Sequence, residues 1–259
     1  MPLSQRLLLY VPTPILGLMI VAGFIALSMC GLIIVRRFVP HHKLKVHNDV
    51  AGAIFATAGV TYAVLMAFVV VIAWQSFDRS NINVEREANC IISLYRDSAA
   101  FPESFRNEIR PLLKGYVDTV TGEEWPMLAR GEQSADARNI LKKVWLVYAS
   151  YEPKGENEKA FFAESIRKLN DAGELRRMRI MDSRTGIHPV LWLVLMIGGV
   201  STIIFTFFFG TENFRAQVLM ASMLALIIAL ILFTILLLEF PFTGDVSIPA
   251  DAFKEMAHF

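Results

Sequence analysis

The sequence predicts an all-α, polytopic membrane protein with four transmembrane helices and one helical extramembrane domain between the second and third of them. Hydrophobic residues make up 54% of the chain and charged residues only 19%, below the roughly 25% that is usual in soluble domains. The charges are also unevenly placed, because 18 of the 25 Lys and Arg and 18 of the 24 Asp and Glu lie between Asp78 and His188. One polar block is therefore flanked by two apolar regions.

Four apolar stretches are long enough to cross a bilayer, which takes about 20 residues. None of them has Asp, Glu, Lys or Arg in its interior, and they cover residues 14–35, 50–74, 189–209 and 216–238. The first ends in Arg36-Arg37 instead of a small-residue cleavage site, which favours a retained anchor over a signal peptide. The predicted domains are a hairpin of two spans (1–77), the extramembrane domain (78–188), and a second hairpin with the C-terminal tail (189–259).

An even number of spans places both termini and the 78–188 block on the same side of the membrane. The Lys and Arg residues near the spans give conflicting indications of which side this is. Their density is highest in the short loop between the first two spans, whereas their number is larger on the side of the block. We expect the block to be cytosolic.

The polar block is predicted to be helical. No Gly or Pro occurs between Val60 and Phe101, so the helix of the second span is expected to continue to about Ala100. Its aqueous part carries an apolar stripe at helical spacing, which indicates packing within the block, with contact between subunits as the alternative; the stripe consists of Phe77, Val84, Ala88, Ile91 and Tyr95. Three further helices are expected to begin near Pro102, after Ser134 and near Glu158.

Signatures of enzymes and of metal or cofactor sites are missing from the sequence. It has no Gly-rich phosphate loop and no HExxH, CxxC or GxSxG motif. The adjacent His41 and His42 are poorly spaced for helical ligation, and a net charge of +1 gives no reason to expect a nucleic-acid partner. We therefore expect no catalytic residues, no metal and no cofactor.

Two charged groups are interpreted as solvated surface. Glu123 and Glu124 are adjacent, and because adjacent helix positions do not share a face, they are expected to form a solvated helix end rather than a catalytic pair. The charges between Asp78 and Asp97, including Glu87, are expected to form a salt-bridged solvated face.

The second span carries two rows of residues at helical spacing. Small residues recur every three or four positions, which lets helices approach closely in lipid; this row consists of Gly52, Ala56, Gly59, Ala63 and Ala67. It is expected to support helix–helix packing, most simply on the first span. Val64, Phe68 and Ile72 form a second row of bulky apolar residues. Such a row is suited to a hydrophobic pore constriction, and facing lipid is the alternative.

The fourth span is expected to end at Glu239–Gly244. Pro241 cannot continue the helix, and Gly244 permits a turn. Glu239 is interpreted either as an interfacial carboxylate or as the partner of an arginine in the polar block.

Several stretches together resemble the bestrophin-like family of prokaryotic membrane proteins, which is distantly similar to the bestrophin ion channels. They are VTYAVLMAFVVV (60–71), EREANCIISLYRDSAAFPE (85–103), EEWPML (123–128), HPVLWLVLMIGGV (188–200) and LEFPFTGDVSIPADAF (238–253). Bestrophins are pentamers with four spans, a cytosolic helical region between the second and third spans, and a pore lined by the second helix with a neck of bulky apolar residues. The resemblance therefore implies a pore constriction at Val64, Phe68 and Ile72.

One feature departs from the calcium-activated bestrophins, which carry an acidic cluster after the last span. Here Asp245 is the one carboxylate in the segment that directly follows Glu239. This difference argues against gating by calcium.

The sequence thus predicts a homo-oligomer, a pentamer by resemblance, in the bacterial inner membrane. Its expected partners are other copies of itself, membrane lipid and small ions, and its expected function is passive ion transport through a pore lined by the second span. The alternative is a non-conducting membrane scaffold or sensor that binds a partner through the 78–188 domain. An enzyme or a proton-coupled carrier is disfavoured, because the spans lack ionisable groups.

Overall fold

The computed structural model describes residues 1–40 and 44–254, and within these ranges the chain is helical and has no β-strand. The all-α prediction is confirmed. The helices used below are α1 (Leu3–Tyr10), α2 (Thr13–Phe38), α3 (Asn48–Asp97), α4 (Glu103–Thr119), α5 (Trp125–Leu128), α6 (Ala135–Ser150), α7 (Glu156–Asp182), α8 (Pro189–Phe205), α9 (Phe214–Leu238) and α10 (Asp251–Lys254). Short 3₁₀ turns follow α3 at Ser98–Ala100 and α8 at Thr206–Phe208.

Four helical segments of the described chain are long and apolar enough to cross a membrane, namely α2, α3, α8 with the 3₁₀ turn that follows it, and α9. The four predicted spans are therefore confirmed, and the chain is an integral membrane protein. The 50-residue α3 continues well beyond its apolar part, as expected from the lack of helix breakers. At 1.5 Å per residue it is about 75 Å long, against about 30 Å of hydrocarbon.

The chain divides into two compact units. The membrane unit contains residues 10–75 and 186–239, and the extramembrane unit contains residues 1–9, 76–185 and the described residues from Phe240 onward. Compared with the predicted boundaries, the extramembrane unit gains residues 1–9 and the described residues from Phe240 onward. Gln5 on α1 explains part of this difference, because its Nε2 donates to the Ser183 carbonyl (3.1 Å) and to Thr243 Oγ1 (3.2 Å).

In the membrane unit, glycines allow close packing of α2 on other helices. A Cβ at Gly17 would lie 2.9 Å from the ring of Phe233 on α9. At one end, Arg36 of α2 makes polar contacts with α9 and with the segment before it. Its Nε donates to Gln217 Oε1 (2.9 Å) and its Nη2 donates to Thr211 Oγ1 (3.0 Å). The buried core of this unit is mostly apolar and includes Leu195, Ile203 and Ile228.

The extramembrane unit has a conventional hydrophobic core. Val84, Ala88 and Ile91 of the predicted stripe are buried, whereas Phe77 and Tyr95 are half-buried. This burial agrees with packing inside the block. The three predicted helices are present as α4, α6 and α7, and α6 begins at a capping serine, Ser134, whose Oγ accepts from two backbone amides.

The segment that follows α4 is not a simple helix end. Residues Val120–Glu124 form a π-helical turn that joins α4 directly to α5. A π-turn inserts an extra residue into a helix and changes which side chains face the core, and such turns are frequent at functional positions. In this protein the π-turn contains Glu124, whose side chain is buried in the core.

Candidate functional site

The membrane part of α3 has one face packed into its unit and one face that the chain leaves uncovered. Tyr62, Met66, Val69 and Ala73 lie on the packed face and are at most 7% exposed. On the other side of the helix, Val64, Phe68 and Ile72 are 50%, 65% and 54% exposed. The predicted constriction row is thus one continuous apolar strip on the uncovered face, and its role in a pore stays a prediction.

A tyrosine anchors the packed face of α3 on α8. The ring of Tyr62 lies against two consecutive glycines, and a Cβ at Gly198 would lie 2.5 Å from its ring carbons. The hydroxyl of Tyr62 donates to the carbonyl oxygen of Leu195 at 2.8 Å. Sequence reasoning missed this anchor, although the Gly198-Gly199 pair in the third span was a visible signal for close approach.

The uncovered face of α3 carries small and hydroxyl side chains beside the apolar strip. Thr57 and Thr61 are exposed, and their hydroxyls donate to the carbonyls of Ala53 (3.1 Å) and Thr57 (2.9 Å). These bonds satisfy the hydroxyl hydrogens within the helix and leave oxygen lone pairs available.

The predicted small-residue row lies largely on this uncovered side. Ala56, Ala63 and Ala67 are exposed, whereas Gly52 and Gly59 are half-buried. A Cβ at Gly59 would meet nothing within 4 Å, and one at Gly52 would lie 4.0 Å from Phe209. The three alanines are therefore not covered by the first span, and helix–helix packing by this row stays a prediction.

The uncovered surface of α9 has a different composition. Most of its exposed residues at helical spacing are large and apolar, namely Leu219, Met223, Ile227 and Leu230, and the exposed Thr234 continues the row. Such a surface suits contact with lipid chains. The two helices of one unit thus differ in the composition of their outer faces: that of α9 is mostly bulky, whereas that of α3 mixes alanine and threonine with bulky residues.

In the extramembrane unit, the aqueous part of α3 is held by a buried ion pair. Glu87 and Arg179 are both fully buried. Arg179 donates through Nε to Glu87 Oε2 (2.8 Å) and through Nη2 to Glu87 Oε1 (3.0 Å). Tyr116 on α4 adds a third hydrogen bond, from its hydroxyl to Glu87 Oε1 at 2.7 Å.

A second carboxylate completes a neutral network of two arginines and two glutamates. Glu124, fully buried by the π-turn, accepts from Arg179 Nη2 (2.9 Å) and from both Nε (3.2 Å) and Nη2 of Arg176. The backbone amide of Ser134 donates to Glu124 Oε2 at 3.1 Å. The guanidinium of Arg179 lies 5.1 Å from the ring centre of Trp125, within the range of a cation–π contact.

The network fixes the protonation states of Arg179 and Tyr116. Burial alone would lower the pKa of Arg179, but the Glu87 carboxylate outweighs it and raises the pKa above its usual value. Burial, together with the charge of Glu87, raises the pKa of Tyr116 well above its ordinary range. The arginine therefore stays charged and the tyrosine stays a hydrogen-bond donor, so the network is a structural clamp rather than an acid–base system.

Two sequence predictions are wrong at this network. The two carboxylates point to different sides of the helix, as expected for adjacent positions, but only Glu123 is exposed, whereas Glu124 is buried. Glu123 Oε1 accepts from Ser134 Oγ at 2.7 Å. Glu87 does not belong to a solvated face. The signal was its spacing, since Glu87 lies in register with Val84, Ala88 and Ile91, whose side chains are buried.

The segment after α9 contains the predicted helix-end residues. α9 ends at Leu238, and Glu239 Oε1 accepts from Trp192 Nε1 at 3.1 Å. Pro241 and Gly244 follow, and Gly244 has φ +86° with the Leu8 carbonyl oxygen 3.2 Å from where a Cβ would lie. This position therefore combines a glycine-favouring conformation with a close backbone approach.

No group of three or more metal-ligating side chains occurs among residues 1–40 and 44–254. His41 and His42, considered above as ligands, lie outside the described residues. The arrangements that stand out are thus the uncovered face of α3, the Tyr62 anchor and the ion network.

Comparisons with known proteins agree on one family. A family model described as a Bestrophin-like domain matches residues 22–253. None of the curated proteins matches this chain significantly. Among solved structures, a variant of a bacterial bestrophin homologue from Klebsiella pneumoniae superposes with a TM-score of 0.73 at 13% identity, covering 92% of this chain and 96% of that chain.

Other structures of bestrophin homologues from the same organism give similar results. One variant has a TM-score of 0.72 at 13% identity, covering 93% of this chain and 98% of that chain. The structure phased with zinc has a TM-score of 0.67 at 11% identity, covering 92% and 95%. At these identities the likeness shows a shared fold.

Proposed function

The chain belongs to the bestrophin-like family, and on that premise we propose that it forms a homo-oligomeric ion channel whose pore is lined by α3. The expected oligomer is a pentamer in the bacterial inner membrane, with the extramembrane unit in the cytosol. The conducted species are small ions moving passively. The observation that carries the proposal is the uncovered apolar strip of Val64, Phe68 and Ile72 on a helix whose other face is anchored.

The composition of the uncovered face supports a helix that meets other copies and water rather than lipid alone. Alanines let neighbouring helices approach closely, and threonine oxygens can accept hydrogen bonds from water or from passing ions' hydration shells. The bulky strip between these smaller residues narrows the path, and a ring of such strips gates a pore by excluding water. The contrasting face of α9 is the natural lipid contact.

The anchor on the opposite face fits the same function. A pore-lining helix must keep its lining residues at a fixed rotation, because turning an α-helix by one residue moves each side chain by about 100°. Tyr62 in its glycine notch fixes the rotation of the membrane part, and Glu87 fixes that of the aqueous part. Both contacts lie on faces that leave the apolar strip free.

Planar-bilayer recording of the purified protein and of Phe68→Ala tests the proposal. Phe68 is the most exposed and largest member of the strip, so its truncation should widen the constriction and increase the conductance at least about tenfold, if dewetting controls passage. The matched control is Met223→Ala on α9, another exposed bulky residue, which should leave the conductance unchanged.

Two outcomes would contradict the proposal. One is the absence of conductance from both the wild type and Phe68→Ala, together with a monomeric mass. That result would favour the alternative, a scaffold or sensor acting through the 78–188 domain. The other is an equal effect of Phe68→Ala and Met223→Ala, which would place the strip in lipid.

A further inference from the structure

An apolar cavity of about 390 Å³ lies within the membrane unit, between the N-terminal parts of α3 and α9. Its apolar walls include the side chains of Phe55, Phe209, Met220 and Leu224. Phe55 packs edge-on against Phe209, with the ring centres 5.6 Å apart, and this contact links α3 to the segment after α8. Met220 is 56% exposed, so the cavity reaches the outer surface of the unit.

The polar side chains that line the cavity are hydrogen-bonded within the unit. Thr206 Oγ1 donates to the Ile203 carbonyl oxygen at 2.6 Å, and Gln217 Nε2 donates to the Phe209 carbonyl oxygen at 2.7 Å. A water molecule in a cavity needs two to four polar partners, which these internally bonded groups do not readily supply. The cavity therefore suits an apolar occupant.

An arginine lies at the polar end of the cavity. Arg36 is half-buried, and it donates to two lining residues, through Nε to Gln217 Oε1 (2.9 Å) and through Nη2 to Thr211 Oγ1 (3.0 Å). Both acceptors are neutral, and within the described ranges Arg36 has no ion pair with a carboxylate. Its positive charge is therefore available to an anion beside the cavity.

The position of Arg36 along its span places this charge near the membrane surface. Arg36 belongs to the last turn of α2, which has 26 residues. At 1.5 Å per residue this helix is about 39 Å long, against about 30 Å of hydrocarbon, so its last turn reaches the level of the lipid headgroups. An apolar cavity and a cation thus meet where acyl chains and phosphates meet in a bilayer.

We propose that the cavity binds one acyl chain of an anionic phospholipid, whose phosphate contacts Arg36. The acyl chain matches the apolar walls and enters from the outer surface at Met220. The phosphate matches the arginine, because guanidinium groups bind phosphate through strong, charge-assisted hydrogen bonds, and basic pockets between spans bind anionic headgroups. The volume lies in the range of roughly 300–1,000 Å³ that is usual for small-molecule sites.

Native mass spectrometry of the purified full chain with three matched compounds tests the proposal. Dioleoylphosphatidylglycerol and dioleoylphosphatidylcholine have the same acyl chains, but only the first has a net negative charge. Glycerophosphoglycerol is the first headgroup without its chains. The anionic lipid should bind at least about tenfold more tightly than the zwitterionic lipid, and the headgroup alone should not bind up to about 10 mM.

Filling the cavity tests the site of the acyl chain. Ala221→Leu adds three carbon atoms at a buried lining position and should weaken the binding of both lipids at least about tenfold. Leu224→Phe enlarges a second lining residue and should act in the same way. The matched control is Ala26→Leu, at an exposed position of α2 outside the cavity, which should bind both lipids as the wild type does.

Two adjacent arginines test the site of the phosphate. Arg36→Gln should reduce the preference for the anionic lipid at least about fivefold, whereas Arg36→Lys, which keeps the charge, should retain most of it. The matched control is Arg37→Gln, because Arg37 is exposed and lies on a different side of α2. A general attraction of anionic lipid to this end of the span would depend on both arginines equally.

The readout is bound lipid, so the result is independent of the channel proposal. Equal affinity for the two lipids would overturn the proposal, as would equal effects of Arg36→Gln and Arg37→Gln. It would also be overturned if both filling variants bind the anionic lipid as the wild type does. Filling variants that change the oligomeric mass and leave lipid binding intact would assign the cavity to a neighbouring copy instead.

Discussion

The two halves of α3 are anchored by opposite chemistry. In the membrane unit, a neutral tyrosine ring fits a notch of two glycines and donates one hydrogen bond. In the extramembrane unit, a fully buried carboxylate accepts two hydrogen bonds from Arg179 and one from Tyr116. The difference follows from the surroundings, since lipid penalises an unsatisfied polar group heavily while a water-surrounded core can hold a neutralised charge network.

The two anchors of α3 are also sensitive to different kinds of change. Buried ion pairs pay a large desolvation cost and contribute little net stability, although breaking one is expensive. The notch of Gly198 and Gly199 depends instead on shape, so any added atom there is felt. The same helix is thus sensitive to charge in one half and to volume in the other.

The largest effect is expected from Arg179→Met. The substitution leaves Glu87 and Glu124 buried without their shared donor and should cost the extramembrane unit about 3–5 kcal/mol. Thermal unfolding in detergent, followed by circular dichroism, measures the loss. Arg177→Met is the control, because Arg177 is exposed on the same helix and should behave as the wild type. An equal effect of the two changes would rule out the clamp.

The second-largest loss of stability is expected from adding volume at the Tyr62 anchor in the membrane unit. Gly198→Ala places a Cβ about where the Tyr62 ring lies, and overpacking of this kind costs about 1–3 kcal/mol. Gly23→Ala, on α2, is the matched control, because its Cβ meets nothing within 4 Å. Unfolding in detergent should show destabilisation for Gly198→Ala but not for Gly23→Ala. The loss caused by Gly198→Ala should be smaller in a chain that also carries Tyr62→Ala. Equal stability of the two glycine variants would contradict the notch.

The same substitution, tyrosine to phenylalanine, can be made at both anchors of α3. Tyr116→Phe removes a hydrogen bond to a buried carboxylate and should cost about 1.5–3 kcal/mol. Tyr62→Phe removes a neutral hydrogen bond within the membrane unit, and such bonds average about 0.6 kcal/mol. Denaturation of the two variants in one detergent compares them directly. A larger loss of stability for Tyr62→Phe than for Tyr116→Phe would contradict the difference between the two anchors.

The smallest effect concerns pH. Burial raises the pKa of Asp182 above its ordinary value of 3.8, outweighing the hydrogen bond from Ser80. The folded state therefore binds this proton more tightly than the unfolded state, so Asp182 reduces stability as the pH rises through the interval above 3.8. Asp182→Asn should raise the melting temperature slightly near pH 7 and not near pH 3, because the carboxyl is protonated in both states there. A variant less stable than the wild type near pH 7 would refute this.

The sequence was sufficient for the elements that depend on composition and on helix breakers. The four spans follow from uncharged apolar runs, and the length of α3 follows from the lack of Gly and Pro between Val60 and Phe101. The sequence did not show which charged residues pair with each other. Glu87 and Arg179 are 92 residues apart, and only the packed helices bring them together. Glu124 was hidden further by a π-turn that has no clear sequence signature.

The spacing of the residues predicted the candidate pore row, but it did not predict which face of α3 packs against other helices. Helical periodicity places Val64, Phe68 and Ile72 in one strip, which the structure leaves uncovered. The sequence could not tell which face of α3 would be anchored, because Tyr62 lies among apolar residues that also fit lipid. The anchor depends on Gly198, which is 136 positions away in the chain.

The central claim is that several copies assemble with α3 closest to their common axis. Cryo-electron microscopy of the purified protein, viewed along the membrane normal, tests it most directly. We expect a closed ring in which α3 is the innermost helix and Phe68 points to the axis. Isolated single copies, or a ring with α2 or α9 innermost and α3 facing lipid, would contradict it.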